Sequence, residues 1–160
     1  MAGGPADRQT GALPSPAASL PTVGRLLGID PGAKHVGLAL SDPQQRLAHP
    51  LATLTRRPGR RFPLAALRPL LEAHAPVGIV MGLPVDPGGA EGPRAAEARA
   101  TGNLLNAKTG LPVTYVDERF TTALARRAFE GVPRRARPGR AAVDRMAATV
   151  LLQAFLDRRP

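Results

Sequence analysis

The sequence predicts an α/β domain, a mixed five-stranded sheet with helices on both faces. Three observations lead there. Three short apolar runs come first and in succession, over residues 25–30, 36–41 and 48–54. From residue 62 onward, segments with helical spacing alternate with single apolar runs. Glycine and proline mark most of the junctions. Consecutive strands pair antiparallel, whereas strands separated by a helix pair parallel, so this order gives a mixed sheet covered by its helices.

Taken in order, Leu26-Leu27-Gly28-Ile29-Asp30 and Val36-Gly37-Leu38-Ala39-Leu40 flank a Pro31-Gly32 turn and read as a β-hairpin. Residues 48–54 supply a third strand, and the Arg/Pro/Gly segment 56–61 a loop. Leu64, Leu67, Leu70 and Leu71 recur at helical spacing, which predicts a helix over about 62–75. The unbroken run Val77-Gly78-Ile79-Val80-Met81 reads as a fully buried strand, followed by a turn-forming stretch from Gly82 to Gly92. Pro93 suits a first helical position, where its missing N–H would have no partner anyway; the helix runs to about Lys108 and is ended by Gly110 and Pro112. Residues 113–117 make the last strand, with a helix near 121–130 and a basic loop over 131–139. The last helix spans about 140–157, with Val143, Met146, Ala147, Val150, Leu151 and Ala154 on its apolar side. No internal repeat and no second domain stand out.

Length and composition narrow the function. A chain of 160 residues is one domain with a real core. Its first 24 residues are rich in Pro, Gly and Ala and lack the pattern of a signal peptide, so they are expected to be a disordered leader before a domain over residues 25–157. The absence of cysteine excludes disulfides, thiolate zinc sites and cysteine nucleophiles, and fits a cytoplasmic location. No apolar run approaches the roughly 20 residues that span a bilayer, so no membrane partner is expected. The net charge of +10 rests on 20 arginines and 2 lysines, clustered at Arg56-Arg57 with Arg60-Arg61 and from Arg126 to Arg140. That surplus implies an anionic partner, nucleic acid first. Four Phe, one Tyr and no Trp leave few platforms for stacking unpaired bases, so recognition should run through phosphates and shape.

Against that charge, three carboxylates stand at the ends or edges of core elements: Asp30, Glu118 and Asp144. Each has a purely structural use. Asp30 could start the Pro31-Gly32 turn. Glu118 could charge-stabilise the following helix. Asp144 could favour a helix dipole and pair with Arg140. Yet Asp144 shares a stripe with Ala148, Leu151 and Phe155, which turns it inward. Together the three suit a divalent metal. Mg²⁺ and Mn²⁺ take hard oxygen ligands, and two such ions about 3.5–4 Å apart can drive phosphodiester cleavage.

The runs Gly28-Ile29-Asp30-Pro31-Gly32-Ala33-Lys34-His35-Val36-Gly37 and Val116-Asp117-Glu118-Arg119-Phe120-Thr121-Thr122 resemble the YqgF/RuvX family. So do Met81-Gly82-Leu83-Pro84 with Gly89-Ala90-Glu91-Gly92-Pro93-Arg94, and Val143-Asp144-Arg145-Met146-Ala147-Ala148. The resemblance implies a ribonuclease H-like fold and likeness to Holliday-junction resolvases, together with an association with maturing the 5′ end of pre-16S ribosomal RNA. It makes Asp30, Glu118 and Asp144 the metal-binding catalytic acids, with Asp117 as a fallback. His35 stands where the family usually has Arg. The implied activity is a two-metal nuclease using Mg²⁺ or Mn²⁺ on pre-ribosomal RNA or branched DNA. In that reading Lys34, Arg119, Arg126, Arg127, Arg134, Arg135, Arg137 and Arg140 hold the nucleic acid. Junction resolution favours a two-fold homodimer, whereas RNA processing can be done by a monomer. Two other classes compete. Asp30-x-Gly32-x4-Gly37 also resembles the first phosphate loop of actin-like ATPases, which pair two such domains where this chain has length for one. A non-catalytic nucleic-acid-binding factor would explain the charge but not the acids.

Overall fold

A computed structural model of the chain describes residues 20–57, 61–119, 121, 130–136 and 139–159. Strands β1 (Leu26–Pro31), β2 (His35–Ser41) and β3 (Ala48–Thr55) come first. Helix α1 (Leu64–His74), strand β4 (Gly78–Leu83), helix α2 (Pro93–Thr109) and strand β5 (Val113–Asp117) follow, then a short 3₁₀ turn (Arg134–Ala136) and helix α3 (Arg140–Arg158). The sheet order is β3-β2-β1-β4-β5. β1, β2 and β3 pair antiparallel, while β1 with β4 and β4 with β5 pair parallel. Physical reach dictates this split. A tight turn joins β1 to β2, whereas the parallel pairs need the crossovers that α1 and α2 supply.

Alternation along the strands builds two cores. Leu27, Ile29, Ile79 and Met81 face Leu67 of α1 and Ala95, Ala98 and Leu105 of α2. Leu26, Val80 and Val116 face Ala148, Leu151, Leu152 and Phe155 of α3. α2 begins with Pro93 in its first turn and ends at Gly110, as its sequence predicts.

Two expectations need correction. α3 does not bury Met146, which is 38% exposed, and Val143, Ala147, Val150 and Ala154 are only half-buried. Its core side is Ala148, Leu151, Leu152, Phe155 and Leu156. Apolar residues encircle this helix, so their spacing alone does not fix its phase; the stripe through Asp144 does. The ordered fold also begins before residue 25. Leu20 is 4% exposed, and the Arg159 guanidinium donates to the carbonyls of Leu20 (3.1 Å) and Pro21 (3.2 Å). Gln45 Nε2 donates to the carbonyls of Pro21 and Gly24, both at 2.9 Å. One apolar residue inside a Pro/Ala/Gly segment gives composition too little to register. Residues 1–19 and most of the helix expected near 121–130 lie outside the described residues; Glu118, Arg119 and Thr121 are helical.

Candidate active site

Asp30 sits near the carboxyl end of β1, the central strand, where the sheet changes from antiparallel to parallel pairing. It alternates with Leu26 and Gly28 and so belongs to the α3 face. Its partner on β2 is Gly37. On β4, Gly82 lies one step beyond Met81, the partner of Ile29. These two glycines are gaps that other groups fill. A Cβ at position 37 would lie 2.0 Å from the Asp144 carbonyl oxygen. One at position 82 would lie 2.6 Å from Glu118 Oε1 and 2.6 Å from Leu151 Cδ1. The missing side chains therefore let the Asp144 backbone of α3 and the Glu118 carboxyl close on this part of the sheet from two sides.

Asp30 and Glu118 share a hydrogen bond, and two carboxyls that close resist ionising together. Burial pushes Glu118 up to about 8, and the charge of Asp30 and a hydrogen bond between the two carboxyls add to the rise. Asp30 is also raised, first by burial and further by the charge of Asp144; the hydrogen bond with Glu118 holds part of that rise back. Both carboxyls are thus pushed up, Glu118 the more strongly, with Glu118 on the donor side of their hydrogen bond. Asp144 Oδ2 is buried without a hydrogen-bond partner. A buried, unpartnered carboxylate oxygen is unfavourable, and a hard cation satisfies it. The donor set thus fits Mg²⁺ or Mn²⁺, with the Asp30–Glu118 proton standing where positive charge is needed. Among the described residues no three His, Cys, Asp or Glu side chains form a ready-made metal cluster.

Other candidates fall elsewhere. Asp117 is clasped by Arg119, with Nη2 to Oδ2 at 2.6 Å and Nε to Oδ2 at 3.0 Å, which holds its carboxyl below the ordinary range. Arg119 Nη1 also donates to the Pro87 carbonyl at 3.2 Å. Arg119 therefore ties the 82–92 loop to the end of β5 and is already engaged. Lys34 is exposed in the turn after β1, and Arg135 is exposed. Arg134 falls in the 3₁₀ turn and Arg140 opens α3; Arg126, Arg127 and Arg137 lie outside the described residues. His35 opens β2 opposite Thr55, with Nδ1 buried and unpartnered. Arg94, to which the sequence reading gave no role, stands in the first turn of α2 and lowers the pKa of both Asp30 and Glu118 through its charge. Only its place directly after the glycine-rich loop hints at this.

Residues 24–158 match the family model RuvX, Holliday junction resolvase. The chain belongs to the RuvX family. A Moorella thermoacetica protein provisionally named pre-16S rRNA nuclease is 41% identical over 134 residues, which cover 84% of this chain and 95% of that one. A Rhodobacter capsulatus protein of the same name is 42% identical over 142 residues, 89% of each. In three dimensions this RuvX chain resembles T. thermophilus RuvC, solved in complex with Holliday junction substrate. The TM-score is 0.52 at 17% identity, over 85% of this chain and 98% of that one. The likeness is one of fold, and the fold is ribonuclease H-like.

Proposed function

We propose that this RuvX-family chain is a metal-dependent endonuclease acting on structured nucleic acid, with 5′-end maturation of pre-16S ribosomal RNA as its first-ranked reaction. What supports this reading is the hydrogen-bonded pair of Asp30 and Glu118 at the carboxyl end of the sheet, with the charge of Asp144 acting on Asp30. Asp30, Glu118 and Asp144 would hold Mg²⁺ or Mn²⁺, two ions in the reading from sequence. Bound there, such ions supply an activated water and stabilise the leaving oxygen. The rest belongs to the chain. Glu118 gives up its proton as the site fills, since a carboxyl ligates as carboxylate. Arg94 offsets part of the negative charge that a phosphate meets on entry. The surplus of +10 draws the polyanion in. The names of the relatives favour ribosomal RNA, and with it a cytoplasmic site of action. Among the described residues no helix is long and apolar enough to cross a membrane.

Junction resolution is the second reading, favoured by the description of the family model. It requires two symmetric cuts and hence a two-fold dimer. A non-catalytic binding factor leaves the buried acids without a purpose.

The test offers a pre-16S leader RNA and a four-way DNA junction side by side, with Mg²⁺ or Mn²⁺ and an EDTA control. Defined RNA cuts support the first reading, and symmetric junction cuts the second. Asp30→Asn, Glu118→Gln and Asp144→Asn should each reduce cleavage by more than the roughly 100-fold that losing an outer-shell metal partner costs. Each should keep its affinity for nucleic acid. Three variants as active as the parent protein would end the proposal.

A further inference from the structure

Arg56, just beyond β3, is only 8% exposed, less than any other charged side chain among the described residues. A cation so placed is strongly unfavourable unless it is paired and hydrogen-bonded. Its partners are few. Nη1 donates to the Gly32 carbonyl at 3.2 Å, and Nε is buried with none. The nearest carboxylate, Glu97, lies 3.9 Å from Nη2, outside hydrogen-bonding distance, and is 66% exposed. Arg56 lines a cavity of about 250 Å³ bounded also by Pro31, Pro84 and Arg94. A second cavity, of about 360 Å³, is bounded by Arg61, Phe62 and Leu104. Arg56, Glu97 and Thr101 line both, so the two hollows adjoin along α2 as a candidate groove. The groove runs from Pro31 to Arg61; Asp30, Glu118 and Asp144 are not in its lining, and its link to them is the charge of Arg94 on Asp30 and Glu118. Arg94 stands at one end, Arg56 in the middle and Arg61 at the other.

We infer that this groove binds the phosphate backbone of the strand being cut, with Arg56 gripping a phosphate that flanks the cleaved one. The inference rests on the nuclease reading and adds a binding track to it. A guanidinium matches a phosphate in shape, charge and donor geometry. The phosphate displaces Glu97, a weak and solvent-facing counter-ion.

The test measures binding of one oligonucleotide in EDTA, at several salt concentrations, by fluorescence anisotropy. It compares the parent protein with Arg56→Gln and Glu97→Gln. A series of oligonucleotides, each with one phosphate neutralised as a methylphosphonate, is run alongside. Arg56→Gln should weaken binding and flatten the dependence of log K on log salt by about 0.7–0.9, the value of one phosphate contact. Glu97→Gln should tighten binding. One internal methylphosphonate should weaken the parent protein and leave Arg56→Gln unaffected. An Arg56→Gln protein that melts normally yet binds with unchanged affinity and slope overturns the inference. So does a loss confined to a 5′-terminal phosphate. If Arg56→Gln does not fold, unchanged affinity in Glu97→Gln overturns it equally. Cleavage assayed in parallel separates the two claims. A parent protein that binds by these rules but cuts nothing sinks the nuclease reading and leaves the groove standing.

Discussion

Burial beside Asp30 raises the Glu118 carboxyl above its ordinary range, and this has two measurable consequences. Its folded pKa is raised from 4.5 to about 8 by burial beside Asp30. Between those values the native state binds more protons than the unfolded state, so stability falls as pH rises. In cation-free protein the urea midpoint should drop from pH 5 to pH 8, and Glu118→Gln should flatten that slope. Mg²⁺ or Mn²⁺ should also bind more tightly as pH approaches 8 and release protons, which calorimetry in two buffers of different ionisation heat would detect. A midpoint that rises over this range would contradict the buried, protonated carboxyl. The three acids were legible as residues, because each ends or opens a core element. The partnership of Arg94 with them was not, since charges far apart in sequence meet only through the fold. The clasp of Arg119 on Asp117, two residues away, was not legible either, because a local contact between strand end and helix start leaves no periodic signal.

At the scale of elements, the decisive contact is α3 on the sheet. Gly28 takes part as well, since a Cβ there would lie 2.9 Å from the Leu152 Cβ. Gly37→Ala has to push α3 away, because its Cβ would meet the backbone of Asp144 at 2.0 Å, and backbone yields less readily than a side-chain tip. Overpacking of this kind costs roughly 1–3 kcal/mol. The variant should therefore lose about that much stability in urea and lose cleavage as well. Gly88→Ala, with nothing within 4 Å of its added Cβ, is the control and should be near neutral. Strand order was readable because the hairpin turn and the helical interruptions are written locally. The phase of α3 was not readable from its Val, Met and Ala residues, which surround the axis; the one informative position was the polar one.

For the whole molecule, compositional segmentation and packing disagree at residues 20–24. Leu20 sits in the core beneath α3, and a Cβ at Gly78 would lie 2.8 Å from its Cδ2. Leu20→Ala should destabilise by about 2–4 kcal/mol in chemical denaturation, in the range of buried leucine truncations. A change below 0.5 kcal/mol would mean that the fold begins after residue 24. The overall charge of +10 makes a further demand. If six or more phosphates are contacted, affinity should fall about a thousandfold or more between 50 and 200 mM salt. Topology also locates the site. β1 has an antiparallel neighbour on one side and a parallel one on the other, and Asp30 stands near the carboxyl end of this central strand.

The row Gly37, Asp30, Gly82 across three strands has an implication for reading relatives. Half of this site is written as vacancy, and an acid-only motif search is blind to vacancy. A sequence with all three acids intact but a side chain at position 37 would pass such a search, yet that side chain would run into the Asp144 backbone. The converse holds for design: grafting three carboxylates onto a similar sheet will not transplant the chemistry unless two neighbouring positions are emptied along with it.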